Sequence, residues 1–165
     1  KTVTSLLLWG LLRARSGDQA GESEPSGGLG AVWLPFACLA LGVVALGAAG
    51  VVVSNHGGRT LDTLPASLDV LAAVVEALAG EGEVLLDGGV LRGGDVFKAL
   101  ALGASAVLIG RAYIHALATA GALGVAHLLR TVREELEITM ALCGCANPAA
   151  IGRHTIIAAG GIDLV

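Results

Sequence analysis

Val84-Leu85-Leu86-Asp87-Gly88-Gly89-Val90-Leu91-Arg92-Gly93-Gly94-Asp95-Val96-Phe97-Lys98-Ala99-Leu100-Ala101-Leu102-Gly103-Ala104 is the stretch that decides the fold. A short apolar run is closed by Asp-Gly-Gly, residues 95–102 then read as helix, and Gly103 stops it. This is one strand, turn and helix. The grammar repeats outward in both directions. Downstream, Ala106-Val107-Leu108-Ile109 predicts another buried strand, closed by Gly110-Arg111. Upstream, Leu68, Leu71, Ala72, Val75 and Leu78 keep the three-four spacing of one helical face, so residues 65–79 are expected to be helical. Pro65 falls near the first turn and Gly80 just past the end. Before that helix, Gly50-Val51-Val52-Val53 predicts a fully buried parallel strand. Alternating strands and helices imply a parallel sheet joined by right-handed crossovers, with the loops at the carboxyl ends of the strands gathered on one face.

The chain has 165 residues, enough for one domain but short of the roughly 250 a complete (βα)8 barrel needs. Its formal charge of −4 is spread without basic blocks, so nucleic acid is not an expected partner. Apolar residues make up 55% and aromatics 3%, which excludes disorder and leaves Ala, Leu, Val and Gly to pack the core. Cys38, Cys143 and Cys145 do not form a disulfide framework or a paired CxxC zinc site. The default setting is therefore reduced and intracellular. Cytoplasm and peroxisome both stay open, and the terminal Ile162-Asp163-Leu164-Val165 is not a Ser-Lys-Leu signal. Lys1 in place of Met points to a processed start or to part of a longer protein.

Residues 1–40 divide from the rest. The apolar run Leu6-Leu7-Leu8-Trp9 resembles a signal core, but no clean cleavage pattern follows, and residues 13–30 read as a Gly/Ser/Pro-rich linker. Residues 29–53 carry no charge, which on length alone would suit a membrane span. Pro35, the interrupting glycines and the Val51-Val52-Val53 triplet favour a helix over about residues 37–46 followed by a strand, so a membrane partner is not expected. Near the other end, residues 124–142 carry Val125, Leu128, Leu129, Val132, Leu136 and Met140 on one side. Arg130, Arg133, Glu134, Glu135 and Glu137 lie on the other as a solvated face, and Gly144 is the expected cap. His115, His127 and His154 are read as surface or packing residues, and Cys143 and Cys145 as packing residues.

Three strand-end loops hold the chemistry. Ser54-Asn55-His56-Gly57-Gly58-Arg59 sets an imidazole and a guanidinium three residues apart across two glycines. An imidazole takes a proton near neutral pH, while a guanidinium is a fixed fork matched to a carboxylate. That pair suits proton removal from a small hydroxy or keto acid. The loop at residues 87–95 and Gly110-Arg111 are rich in glycine amides, with Arg92 and Arg111 at hand, as an anion such as a cofactor phosphate requires.

Ser-Asn-His-Gly-Gly-Arg-Thr-Leu-Asp at 54–62, Leu-Asp-Gly-Gly-Val at 86–90 and Asp-Val-Phe-Lys-Ala-Leu-Ala-Leu-Gly-Ala at 95–104 closely resemble the FMN-dependent 2-hydroxy acid oxidase and dehydrogenase family. Glycolate oxidase, lactate oxidase and mandelate dehydrogenase belong to it. The resemblance continues through Ile109-Gly110-Arg111 and Met140-Ala141-Leu142-Cys143-Gly144-Cys145, covering residues 41–154 and leaving 155–165 as a tail. It implies an α/β fold: a partial (βα)8 TIM barrel, its last three or so βα units plus C-terminal helices. It also implies FMN as cofactor, a small (S)-2-hydroxy acid as substrate, and O2 or another electron acceptor. By the same resemblance His56 is the catalytic base, Arg59 pairs with the substrate carboxylate, and Ser54 contacts the flavin ring. Asp87, Gly88, Gly89, Val90 and Leu91 lie along the ribityl phosphate, and Gly110 and Arg111 hold the phosphate.

The departures are specific. Leu91 stands where the family normally has a basic residue, and Ala112 stands where Pro usually follows the arginine. The early-barrel tyrosines and aspartate have no counterpart. The lysine before the His loop has none either, since Lys1 and Lys98 are the only lysines and Tyr113 the only tyrosine. A part-barrel leaves open strand edges, so cover by another chain, by a further copy of this one or by the N-terminal segment is expected. Two other readings are a non-catalytic truncated relative and a membrane-anchored fragment.

Overall fold

The computed structural model describes residues 4–5 and 40–157. Strands β1 (Thr4–Ser5), β2 (Gly50–Ser54), β3 (Glu83–Asp87) and β4 (Ala106–Leu108) form one parallel sheet in that order. Helices α1 (Ser67–Leu78), α2 (Gly93–Ala101) and α3 (Arg111–Leu142) follow β2, β3 and β4. Residues 40–45 are helical and lead into β2. The linker expected at 13–30, Cys38, residues 29–39 of the 29–53 run and the C-terminal tail beyond 157 lie outside the described residues. Within that run residues 50–53 are a sheet strand, so no helix continues through to Val53.

Register places the site. Ser54 pairs with Asp87, and Asp87 with Leu108, so the carboxyl ends of β2, β3 and β4 finish in one row. The loops that follow leave the sheet side by side.

Packing departs from the sequence reading on one point. The strands were expected to be buried on both faces, yet they alternate: Val51, Val53, Val84 and Leu86 are buried, while Val52 and Leu85 are half-covered. Among the described residues the helices cover one face only, and the other face of the sheet is left half-covered. Likewise β4 is exposed at Ala106 and Leu108 because it is the sheet edge. The main core joins Val51 and Val53 to Leu71, Val74 and Leu78 of α1, Val96 and Ala99 of α2, and Val132 of α3. Each of the valines and leucines contributes roughly 1.5–3 kcal/mol relative to exposure. A second cluster at the foot of α2 and α3 packs Phe97, Ala101, Met140, Cys145 and Ile151.

The helices keep their expected faces with adjustments. In α1 the deepest residues are Val70, Leu71, Val74 and Leu78, turning the buried stripe slightly away from Leu68, Ala72 and Val75. Its end is marked by Ala79, left-handed at φ +45°, before Gly80. The third helix begins at Arg111, well before residue 124, and is broken by non-helical backbone at Ala120 and Gly121. By length and composition it is the one helix among the described residues that could cross a membrane, although none of its most apolar window is buried in the fold. Of its expected inner face, Val132 and Met140 are buried, Leu128 and Leu136 half-buried, and Leu129 is exposed. Gly144 caps it at φ +72°. Cys145 packs as expected, but Cys143 is exposed.

Candidate active site

Loop one leaves β2 in a 3-10 turn, His56–Gly58, with His56 in left-handed backbone at φ +52°. Residues bearing a Cβ seldom adopt that conformation unless their neighbours impose it. Here the His56 N–H donates to Ser54 Oγ at 3.0 Å, and Ser54 Oγ–H donates to Asp87 Oδ2 at 2.6 Å. Asn55 Oδ1 accepts the Gly58 N–H at 3.3 Å. The end of β3 thus anchors the turn that presents the imidazole.

Loop two turns at Gly88 (φ +99°) and Gly89 (φ +79°). A Cβ on Gly88 would lie 2.8 Å from Asn55 Oδ1 and 3.2 Å from Ser67 Oγ, so only glycine lets the two loops pack. Beyond it, Asp95 Oδ2 accepts the Leu91 and Arg92 N–H groups, each at 3.1 Å. Glu135 Oε2 accepts the Gly93 N–H at 2.8 Å. This corrects two expectations. The Leu91, Arg92 and Gly93 amides at the entry to α2 are bound to carboxylates of the chain itself and are not free for an anion. Glu135 faces α2 and is not part of the solvated face, which leaves Arg130, Arg133, Glu134 and Glu137 to form it as exposed i,i+4 pairs.

Loop three brings Arg111 across the site. One guanidinium nitrogen donates to the Gly57 carbonyl at 3.0 Å, joining the first loop to the third and leaving its other N–H groups for a ligand. Gly110 precedes the start of α3, with open space where a Cβ would stand.

These loops enclose one cleft of about 710 Å³, within the range of small-molecule sites. His56, Arg59, Asp87, Gly88, Gly89, Val90, Leu91, Gly110 and Arg111 all line it. Every expected site residue is there except Ser54, whose hydroxyl is turned to Asp87. Leu91 is largely exposed at the cleft, so the family's usual positive charge is replaced by an apolar side chain. His115 also lines it but is exposed, as are His127 and His154. Among the described residues the ion pairs are Arg130–Glu134, Arg133–Glu137 and Arg153–Glu76, all away from the cleft. The only Asp or Glu lining the cleft is Asp87, engaged with Ser54. Sequence reasoning passed over Asn55 and Ser67. An Asn after a strand and a Ser at a helix start are turn and cap signals, and neither says that the two meet.

The family model for FMN-dependent dehydrogenase matches residues 39–158. The chain belongs to the FMN-dependent dehydrogenase family, whose members are flavin oxidoreductases with FMN as cofactor. An L-lactate oxidase of Roseobacter sp. (strain GAI101) is 60% identical over 109 residues, covering 66% of this chain and 30% of that protein. Glycolate oxidase 1 of Zea mays is 55% identical over 114 residues, covering 69% and 31%. A mandelate oxidase crystallised with benzoyl-formic acid aligns with TM-score 0.68 at 50% identity, over 70% of this chain and 34% of that one. A mandelate oxidase variant of the same TM-score was solved with a monooxide FMN adduct. The chain spans about a third of the length of these relatives.

Proposed function

We propose that this chain supplies the flavin-phosphate and substrate-acid side of an FMN-dependent oxidation of a small (S)-2-hydroxy acid to the 2-oxo acid. The observation that carries the reading is the single cleft lined at once by His56, Arg59, Gly88, Gly89, Gly110 and Arg111. The same reading takes residues 41–154 as the barrel portion, with 1–40 and 155–165 outside it.

The residues fit the cofactor. Glycine backbone at Gly89 and Gly110 offers open space for close approach, and Arg111 is free on its remaining N–H groups to meet a phosphate. Held there by Gly89, Gly110 and Arg111, FMN would supply the two-electron acceptor for the hydroxy acid, with O2, reduced to hydrogen peroxide, as the final acceptor in an oxidase. Arg59 pairs with the substrate carboxylate through its fork of donors and orients the carbinol carbon. His56 takes the proton the substrate gives up, a role open to an imidazole near neutral pH. Asp87 and Ser54 hold the His56 backbone.

A second reading, a chain that binds phosphate without turnover, is favoured by the half-covered interior face of β2 and β3. An FMN titration followed by flavin fluorescence separates the two, with His56→Ala and Arg111→Ala beside the wild type. Saturable binding weakened at least tenfold by Arg111→Ala, with lactate or glycolate bleaching the flavin only when His56 is present, supports catalysis. Binding without bleaching supports the second reading, and no binding by the wild type sinks both.

A further inference from the structure

We infer that Ser67, acting through Asn55, is a positioning residue for His56, an assignment that rests on His56 as the base proposed above. Ser67 is the one buried polar side chain among the described residues, 5% exposed at the first turn of α1. A buried hydroxyl is costly unless it is hydrogen-bonded. Its partner is not in its own helix: Ser67 Oγ accepts the Asn55 N–H at 3.1 Å, across the loop from a residue twelve positions earlier.

Asn55 then distributes that anchor. Its Nδ2 donates to the Pro65 carbonyl at 3.3 Å, and its Oδ1 accepts the Gly58 N–H at 3.3 Å. The residues on both sides of His56 and Gly57 are therefore tied to the start of α1. Left-handed backbone at His56 survives only where such ties impose it, and its own N–H bond to Ser54 is the complementary restraint. The pair also touches loop two, since Gly88 packs against both Asn55 Oδ1 and Ser67 Oγ. Asn55 and Ser67 line a smaller cleft of about 350 Å³ whose walls Gly57, Gly88, Gly89 and Arg111 are shared with the candidate active site. Losing the Ser67 hydroxyl leaves the Asn55 N–H unpaired, and the turn carrying His56 relaxes.

The test compares the chain with Ser67→Ala, Ser67→Thr and Val74→Ala, the last a core variant of α1 that lines neither cleft. Imidazole C–H resonances of His56 and amide exchange at Asn55 and Gly58 are recorded without FMN. Ser67→Ala is expected to move the His56 resonances and to speed exchange at Asn55 roughly tenfold, as loss of one hydrogen bond implies. Ser67→Thr restores both, and Val74→Ala leaves His56 unmoved. Unmoved His56 resonances in Ser67→Ala, or an equal shift in Val74→Ala, would overturn the inference. Should Ser67→Ala fail to fold, Asn55→Ala, which removes the bonds to Gly58 and Pro65, is expected to move the His56 resonances and to speed exchange at Gly58, and unmoved His56 resonances there would overturn the inference. An FMN titration of the wild type runs beside it: failure to bind removes the functional reading, while the His56 resonances still decide the positioning.

Discussion

At Gly88 the backbone runs at φ +99° with Asn55 Oδ1 2.8 Å from where a Cβ would stand. Gly88→Ala therefore meets both left-handed strain and a clash with the anchor of loop one. It should lower unfolding stability by about 1–3 kcal/mol, read from urea denaturation. A loss under about 0.5 kcal/mol would mean the two loops are not packed as described. Residue chemistry at the site was largely legible beforehand. His56 and Arg59 announce themselves by type and by the glycines between them. The Asn55–Ser67 contact does not, because twelve residues and a helix start separate the partners, and only folding sets their distance.

Among the elements, α2 is tied to α3 by its first residue. Glu135 accepts the Gly93 N–H at 2.8 Å, and a Cβ on Gly93 would collide with the α3 backbone at Leu136. Glu135→Ala strips a cap from α2 and should cost about 1 kcal/mol, with Glu135→Gln costing less, by thermal or chemical unfolding. Equal stability of all three chains would remove the capping role. The neighbouring pairs behave differently. Arg130 and Arg133 are held above the ordinary arginine range, mainly by hydrogen bonds to Glu134 and Glu137 and then by those charges. Both pairs are exposed, so they add little. From sequence all five charges looked alike. Periodicity locates a polar face but does not say which of its residues another helix will approach.

For the molecule as a whole, the open sheet edge and the outer surface of α3 dominate. Leu117 is 48% and Leu123 81% exposed, while Leu108 sits on the edge strand. Contiguous apolar surface beside an unpaired strand drives association. The 165-residue chain expressed by itself should show a scattering mass that rises with concentration, and Leu117→Lys with Leu123→Lys should reduce that rise. An unchanged concentration dependence in the double variant would place the contact elsewhere.

The sequence by itself determined the strand-turn-helix repeat, the parallel order, the family and nearly the whole set of cleft residues. Those follow from local periodicity, from glycine at turns and from motifs read along the chain. Tertiary structure decided which of those residues act together. The register of Ser54, Asp87 and Leu108 brings three loops into one row, and long-range contacts then spend the Leu91, Arg92 and Gly93 amides on Asp95 and Glu135. It also decided that the strands are covered on one face only. The physical reason is the same in each case: hydrogen-bond partners and burial depend on distances between segments far apart in the chain, which no local pattern encodes.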